Sequence, residues 1–172
     1  LQVAHLYTVP FENLSIDMDE PIVLDIQALF EKVVTRRRGG FCYELNGLFA
    51  ALLRALGFQV DMFSARVRGS NREYGPAFDH LTLLVSLSER WLVDVGFGDS
   101  FLEPLRLDER GVQPQGERCY RILDDKTELV LESKGREGEW TPQYRFGTKA
   151  YHLADFAEMC LYHQSSPESH VR

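Results

Sequence analysis

The hydrophobic pattern of this chain changes period at Gly57, and that switch limits the folds open to it. Ahead of it, "CYELNGLFAALLRALGF" sets Leu45, Leu48, Phe49, Leu52 and Leu56 along one helical stripe, with Gly57 as a stop. "LDIQALFEKVVTRR" carries Ile26, Leu29, Phe30, Val33 and Val34 at helical spacing, and Asp25 stands where an N-cap belongs. "LQVAHLYTVPFENLSID" opens on Leu1, Val3, Ala4 and Leu6, the tail of a helix that Pro10 ends. Beyond Gly57, "FQVDMFSARV" alternates Phe58, Val60 and Met62 on one face, as a strand does. "HLTLLVSL" and "RWLVDVGFG" are further strands joined through "SER" as a hairpin, after the polar loop "RGSNREYGPAFD". "RCYRILDD", "TELVLESK" and "WTPQYRFG" continue the strands, and "LADFAEMCLYHQSSPES" reads as a helix stopping near Pro167. A helical part followed by antiparallel strands is an α+β pattern.

The 172 residues are 44% hydrophobic and 26% charged, enough for one or two small domains with a real core. A net charge of −7 and a pI near 5.2 argue against a general nucleic-acid or anionic-membrane surface. No apolar run approaches the ~20 residues of a membrane helix. The chain begins at Leu1, so the lack of a signal peptide carries little weight. Cys42, Cys119 and Cys160 are odd in number and widely spaced. They suit a reducing cytosol and fit neither a disulfide framework nor a zinc site.

Cys42 sits in "RRRGGFCYELNG", behind two glycines and at the start of a helix. There, unpaired backbone N–H groups and the positive dipole end favour the thiolate, which is the nucleophile. A backbone N–H beside the sulfur would also serve as an oxyanion donor. Gly39 and Gly40 would let the chain turn sharply and a ligand approach. The alternative is a small buried hydrophobe. A nucleophilic cysteine needs a base, normally histidine. His152, His163 and His170 read as ordinary surface residues, and His5 as a satisfied core histidine. His80 differs, because it opens an apolar strand after a loop, where binding residues tend to sit. Asp94, inside "WLVDVGFG", is costly to bury unless paired, and a histidine N–H would satisfy it. The alternative is a turn-forming Asp ahead of Gly96 and Gly98. The even separation of His80 and Asp94 puts both on one face of a hairpin with a three-residue loop. A loop centred on Leu87 sets them directly opposite, with Cβ atoms about 5 Å apart. A loop of Ser88, Glu89 and Arg90 leaves them four residues out of step and needs a bend. Cys119 and Cys160 read as core filler. No Walker-type loop, "HExxH" or strand-linked "GxGxxG" appears, so no metal is expected.

With Cys42, His80 and Asp94 in chain order, the sequence resembles the arylamine N-acetyltransferases. The stretches "VPFENLSI", "RRRGGFCYELNGLF", "LGFQVDMFSARV", "DHLTLLV" and "WLVDVGFGDSF" carry the resemblance, which spans nearly the whole chain. It implies a helical bundle followed by an antiparallel β-barrel, a cysteine-protease-like core. The expected division is a helical domain at 1–65 with the nucleophile, a barrel at 66–150 with His and Asp, and an interdomain helix at 151–172. Members of the family extend further at both ends, into a third domain that acts as a lid.

The resemblance further implies that Cys42 takes the acetyl group of acetyl-CoA as a thioester. His80 would hold the thiolate and move protons, Asp94 would orient His80, and an arylamine, arylhydrazine or N-hydroxyarylamine would accept the acetyl group. Phe11, Tyr43 and Phe97 match positions lining the acceptor pocket, Gly96 and Gly98 match glycines that let CoA approach, and Glu12 and Arg38 match a buried structural salt bridge. A cytoplasmic enzyme with small-molecule substrates and no nucleic-acid or membrane partner is the expectation. A cysteine hydrolase or transglutaminase-like enzyme and a macrocycle-closing amide synthase would use the same triad. A non-enzymatic binding domain is the remaining alternative, and the intact Cys, His and Asp count against it.

Overall fold

Asp25 caps the third helix, its side chain accepting a hydrogen bond from the Ala28 N–H at 3.0 Å. The structure, a computed structural model, describes residues 1–171. Helices α1 (Gln2–Leu6), α2 (Leu14–Asp17) and α3 (Ile26–Phe30) precede α4 (Cys42–Ala55), and one π-helical turn, Glu31–Thr35, extends α3. Gly57, at φ +90°, ends α4 where the hydrophobic period changes. Strands β1 (Gln59–Val67), β2 (His80–Ser86), β3 (Arg90–Val93), β4 (Leu105–Arg106), β5 (Gln113–Gln115), β6 (Arg118–Asp125), β7 (Glu128–Lys134) and β8 (Thr141–Tyr151) follow. A 3₁₀ turn, Leu153–Phe156, leads into α5 (Ala157–Ser165). Among the described residues, no helix is long and apolar enough to cross a membrane.

The strands form one antiparallel sheet in the order β4-β3-β2-β1-β8-β7-β6-β5. Strand alternation divides the hydrophobic interior in two. Val60, Met62, Leu81, Leu83, Val85 and Val93 pack with Leu45, Phe49, Ala50 and Leu53 of α4. Phe63, Ala65, Leu84, Leu92, Ile122 and Leu131 fill the other face, inside the barrel. Two glutamines of β5 hold β4 and the segment just before it. Gln113 Oε1 accepts from Arg106 N at 2.8 Å while its Nε2 donates to Arg106 O at 3.1 Å. Gln115 accepts from the N–H groups of Leu102 and Glu103 and donates to Glu103 O at 2.7 Å. These side-chain amides stand in for a main-chain ladder and keep both edges from templating another strand.

The α+β architecture of helices followed by a barrel is present, but several details differ from the sequence reading. Strand β1 runs across the boundary expected at residue 65 and pairs with both β2 and β8. Strands β4 and β5 went unread because two or three residues are too short for a period to show. The hairpin loop lies between the two registers considered. Leu83 pairs with Val93 and Ser86 with Arg90, leaving Leu87, Ser88 and Glu89 as the loop. Cys160 is buried and Cys119 half-buried, as core filler would be. His163, expected on the surface, is fully buried.

Candidate active site

Cys42 is the first residue of α4, a position set by the segment Pro10–Glu12 lying against Gly39 and Gly40. Phe11 and Gly40 form a parallel bridge, and Glu12 N–H donates to Gly40 O at 2.9 Å. A Cβ on Gly39 would stand 2.0 Å from the Pro10 carbonyl oxygen. The two glycines therefore admit a neighbouring strand of backbone. The sharp turn expected of them falls instead at Arg37, with φ 53°. Glu44 reaches back to accept from the Phe41 N–H at 3.1 Å, which caps α4 directly ahead of the cysteine.

His80 opens β2, and Asp94 follows the last residue of β3. The observed register sets Asp94 level with Thr82, two positions from His80, and the chain bends out of the ladder after Val93. The bend brings Asp94 Oδ2 to 2.7 Å from His80 Nε2, with both residues buried. Phe78, next but one before His80, holds a left-handed backbone at φ 66°, costly for a bulky residue. Its N–H donates to Ser64 Oγ at 2.7 Å, and its ring packs edge-on against Tyr151 and Phe156.

Asp94 is held from several directions. Oδ1 accepts from Asn46 Nδ2 at 2.8 Å and Gly96 N at 2.9 Å, and Oδ2 also accepts from Tyr144 OH at 3.1 Å. Burial pushes this carboxyl up, but the charge and hydrogen bond of His80, with the donors of Asn46 and Gly96, outweigh it. The group sits below its ordinary value and stays ionised. Asn46 also donates to Leu81 O at 2.7 Å and accepts from Val95 N at 2.9 Å, tying α4 to β2 and to the loop after β3. From α1, Gln2 accepts from Asp94 N at 3.1 Å and donates to the carbonyls of Phe101 and Leu102. Burial pushes the Tyr144 phenol well up, so it stays a donor.

Nε2 of His80 meets Asp94, and among the described residues no hydrogen bond engages its other ring nitrogen, Nδ1. His80 and Cys42 line one cleft of about 440 Å³ together with Phe11, Glu12, Gly96 and Phe97. The Phe97 ring meets His80 edge-on at 5.2 Å. Burial pushes the Cys42 thiol well above its ordinary value, the Leu81 backbone N–H pulls it down, and the charge of Asp94 raises it further. A neighbouring imidazolium would favour charge on the sulfur, and His80 lines the same cleft.

Tyr43 does not join the cleft wall. It is fully buried, its hydroxyl donates to Phe78 O at 2.6 Å, and its ring packs on Phe41, Phe156 and His163. As the residue after Cys42 on a helix, it points toward the core, where it supports the loop carrying Asp79 and His80. Gly96 lies on the helix, since a Cβ there would stand 2.7 Å from Cys42 Cα. Gly98 has φ +90° and open space around its Cα. Arg38 and Glu12 pair at 3.0 Å, but Arg38 is partly exposed. The deeply buried pair is Lys32–Glu44 at 2.7 Å, which the sequence reading missed. It also missed Gln2, Asn46 and Tyr144. Asn46 alone carried a signal, an amide among the apolar residues of a helix; Gln2 and Tyr144 reach Asp94 from far along the chain.

A family model described as N-acetyltransferase matches residues 1–172. An arylamine N-acetyltransferase of Escherichia coli is 40% identical over all of this chain and 62% of its own length. The solved structure of the Salmonella typhimurium arylamine N-acetyltransferase superposes with a TM-score of 0.92 at 36% identity, covering 99% of this chain and 63% of that one. The Mycobacterium marinum arylamine N-acetyltransferase, solved in complex with CoA, gives a TM-score of 0.91 at 34% identity, over 99% of this chain and 65% of that one. The chain thus spans somewhat under two thirds of the length of these relatives.

Proposed function

Because the chain belongs to the arylamine N-acetyltransferase family, we propose that it moves an acetyl group from acetyl-CoA to an aromatic amine through a thioester on Cys42. The observation that carries this reading is the Asp94–His80 contact at 2.7 Å, set beside a cysteine in a cleft walled by two aromatic rings.

His80 Nδ1 takes the proton as Cys42 Sγ attacks the acetyl carbonyl. The carbonyl oxygen gains negative charge next to the unpaired N–H groups of the first turn of α4. The C–S bond to CoA then breaks, and the imidazolium returns its proton to the departing CoA sulfur. Asp94, ionised throughout, keeps the imidazole in one tautomer and steadies the imidazolium. In the second half, a weakly basic aryl amine, neutral at pH 7, attacks the thioester. His80 takes the proton that develops on nitrogen and delivers it to the Cys42 sulfur as the amide forms. Phe11 and Phe97 offer rings against which a flat acceptor can pack. Gly96 and the open face at Gly98 are where we place the approach of CoA. The free thiols of Cys42, Cys119 and Cys160 fit a reducing compartment, and we place the protein in the cytoplasm.

Incubation with acetyl-CoA followed by intact-mass measurement tests the proposal. One acetyl group should add to the wild type and leave when an arylamine is supplied, and Cys42→Ala should gain none. Acetylation centred on Cys119 or Cys160 would overturn the mechanism. So would cleavage of an amide reporter with no acetyl adduct, which would mark a hydrolase.

A further inference from the structure

Asp79, His163 and His170 converge beside the cleft, which Asp79 and His170 help to line. Asp79 Oδ1 lies 3.4 Å from His163 Nε2 and 3.6 Å from His170 Nδ1, and all three atoms lie within 4.8 Å of one another. Among the described residues, Asp79 Oδ1 and His163 Nε2 have no hydrogen-bond partner, although both side chains are almost wholly buried. Orphaned buried polar atoms are costly, and two aimed at one point call for something between them.

The spacing argues for an ion over a proton. A nitrogen–oxygen hydrogen bond closes to about 2.7–3.2 Å. Two ligands bound to zinc at ~2.0–2.1 Å and a tetrahedral angle stand about 3.3–3.4 Å apart. The other polar atom of each buried ligand is already engaged. His163 Nδ1 meets Ser169 Oγ at 2.8 Å, which leaves Nε2 as the lone-pair nitrogen when Nδ1 carries the proton. Asp79 Oδ2 accepts from Val67 N at 3.1 Å, which leaves Oδ1 facing the histidines. His170 supplies the third donor from a half-exposed ring that also lines the cleft of Cys42.

We propose that Asp79 Oδ1, His163 Nε2 and His170 Nδ1 form a binding site for one zinc-like divalent transition-metal ion at the edge of the catalytic cleft. Two imidazoles and one carboxylate suit zinc, cobalt or nickel and are poor ligands for magnesium or calcium, which want more oxygens. Three protein ligands leave a fourth position open toward the cleft. The ion ties the segment around His170 to Asp79, the residue before His80. Binding does not depend on the acetyl-transfer reading. A slowing of Cys42 acetylation by zinc would rest on that reading.

The test is calorimetric titration of the protein with Zn²⁺ alone, together with visible spectra of the Co²⁺-loaded form. One ion per chain is expected, with ligand-field bands of low-coordinate cobalt and no sulfur-to-metal charge-transfer band. His170→Ala, chosen because its ring is half exposed, should weaken binding at least tenfold. Cys42→Ser and His152→Ala, an exposed histidine elsewhere, should leave it unchanged. His163→Gln should abolish the cobalt bands, and its circular dichroism checks that the fold survives. The inference is overturned by undiminished binding in His170→Ala, by binding lost in Cys42→Ser, by a sulfur charge-transfer band, or by no binding at millimolar zinc.

Discussion

Gly96→Ala tests whether the start of α4 and the loop after β3 act as one rigid unit around the reacting atoms. A Cβ at position 96 would stand 2.7 Å from Cys42 Cα, 2.8 Å from Asn46 Nδ2 and 3.0 Å from Cys42 O. Two of these are backbone atoms, and the third is the buried amide that holds Asp94, so no flexible chain end can swing aside. Ordinary contact begins at 3.4 Å, so helix and loop must part by about 0.7 Å. Misplacing reacting groups by ~1 Å costs roughly 10² in rate. Cys42 acetylation should therefore slow on the order of 10- to 50-fold, about 2 kcal/mol in barrier. The assay is single-turnover acetylation followed by intact mass, with two donors, acetyl-CoA and a small aryl acetate. Displacement of Cys42 slows both donors alike, whereas a glycine needed only to seat CoA slows acetyl-CoA alone. Wild-type rates with both donors would refute the reasoning. Gly98→Ala is the control, since its side chain meets open space. It should cost about 1 kcal/mol of stability through its positive φ and leave the aryl ester reaction untouched.

Lys32→Met strands the Glu44 carboxylate in the core and should cost about 3–5 kcal/mol in urea unfolding, with Lys32→Met/Glu44→Gln recovering part of it. A double variant no better than the single would show that the two charges do not depend on each other. Burial holds His5 down to about 4 from 6.5, so the unfolded chain takes up the proton first. Its contribution is fully present above pH 6.5 and is lost as pH falls through 4. The drop in unfolding free energy across that window, read from urea titrations, should shrink in His5→Phe by about 1–2 kcal/mol after allowance for partial exposure, and an unchanged drop would assign the loss elsewhere. Gln115→Leu removes the partners of the Leu102 and Glu103 N–H groups, so those amides should exchange with solvent faster, at a cost of about 1 kcal/mol. Unaltered exchange there would mean that Gln115 does not protect the segment before β4.

The elements that the sequence revealed are those whose burial repeats with a short period. Val60 and Met62 alternate because β1 lies between α4 and the barrel interior, and Leu45 and Phe49 recur because one face of α4 meets that sheet. Cys42, His80 and Asp94 were legible for a different reason, being reactive residue types in settings where burial is expensive. What stayed hidden is set by distant partners. Gln2 reaches Asp94 across 92 positions and Tyr144 reaches it across 50, with no local pattern to mark either bond. Glu44 and Lys32 lie on helical turns that a charge count assigns to solvent, yet they bury each other. Asn46 is the instructive intermediate. It lies four residues after Cys42, so on a helix the two side chains occupy one face, one turn apart. Any segment packed over the cysteine must also meet Asn46, and a buried amide there requires donors and acceptors opposite. Gly96 touches both residues, and Asp94, two positions before it, supplies the acceptor. The motif "CYELN" therefore pairs Cys42 with, one turn along, the clamp for the carboxylate that meets His80.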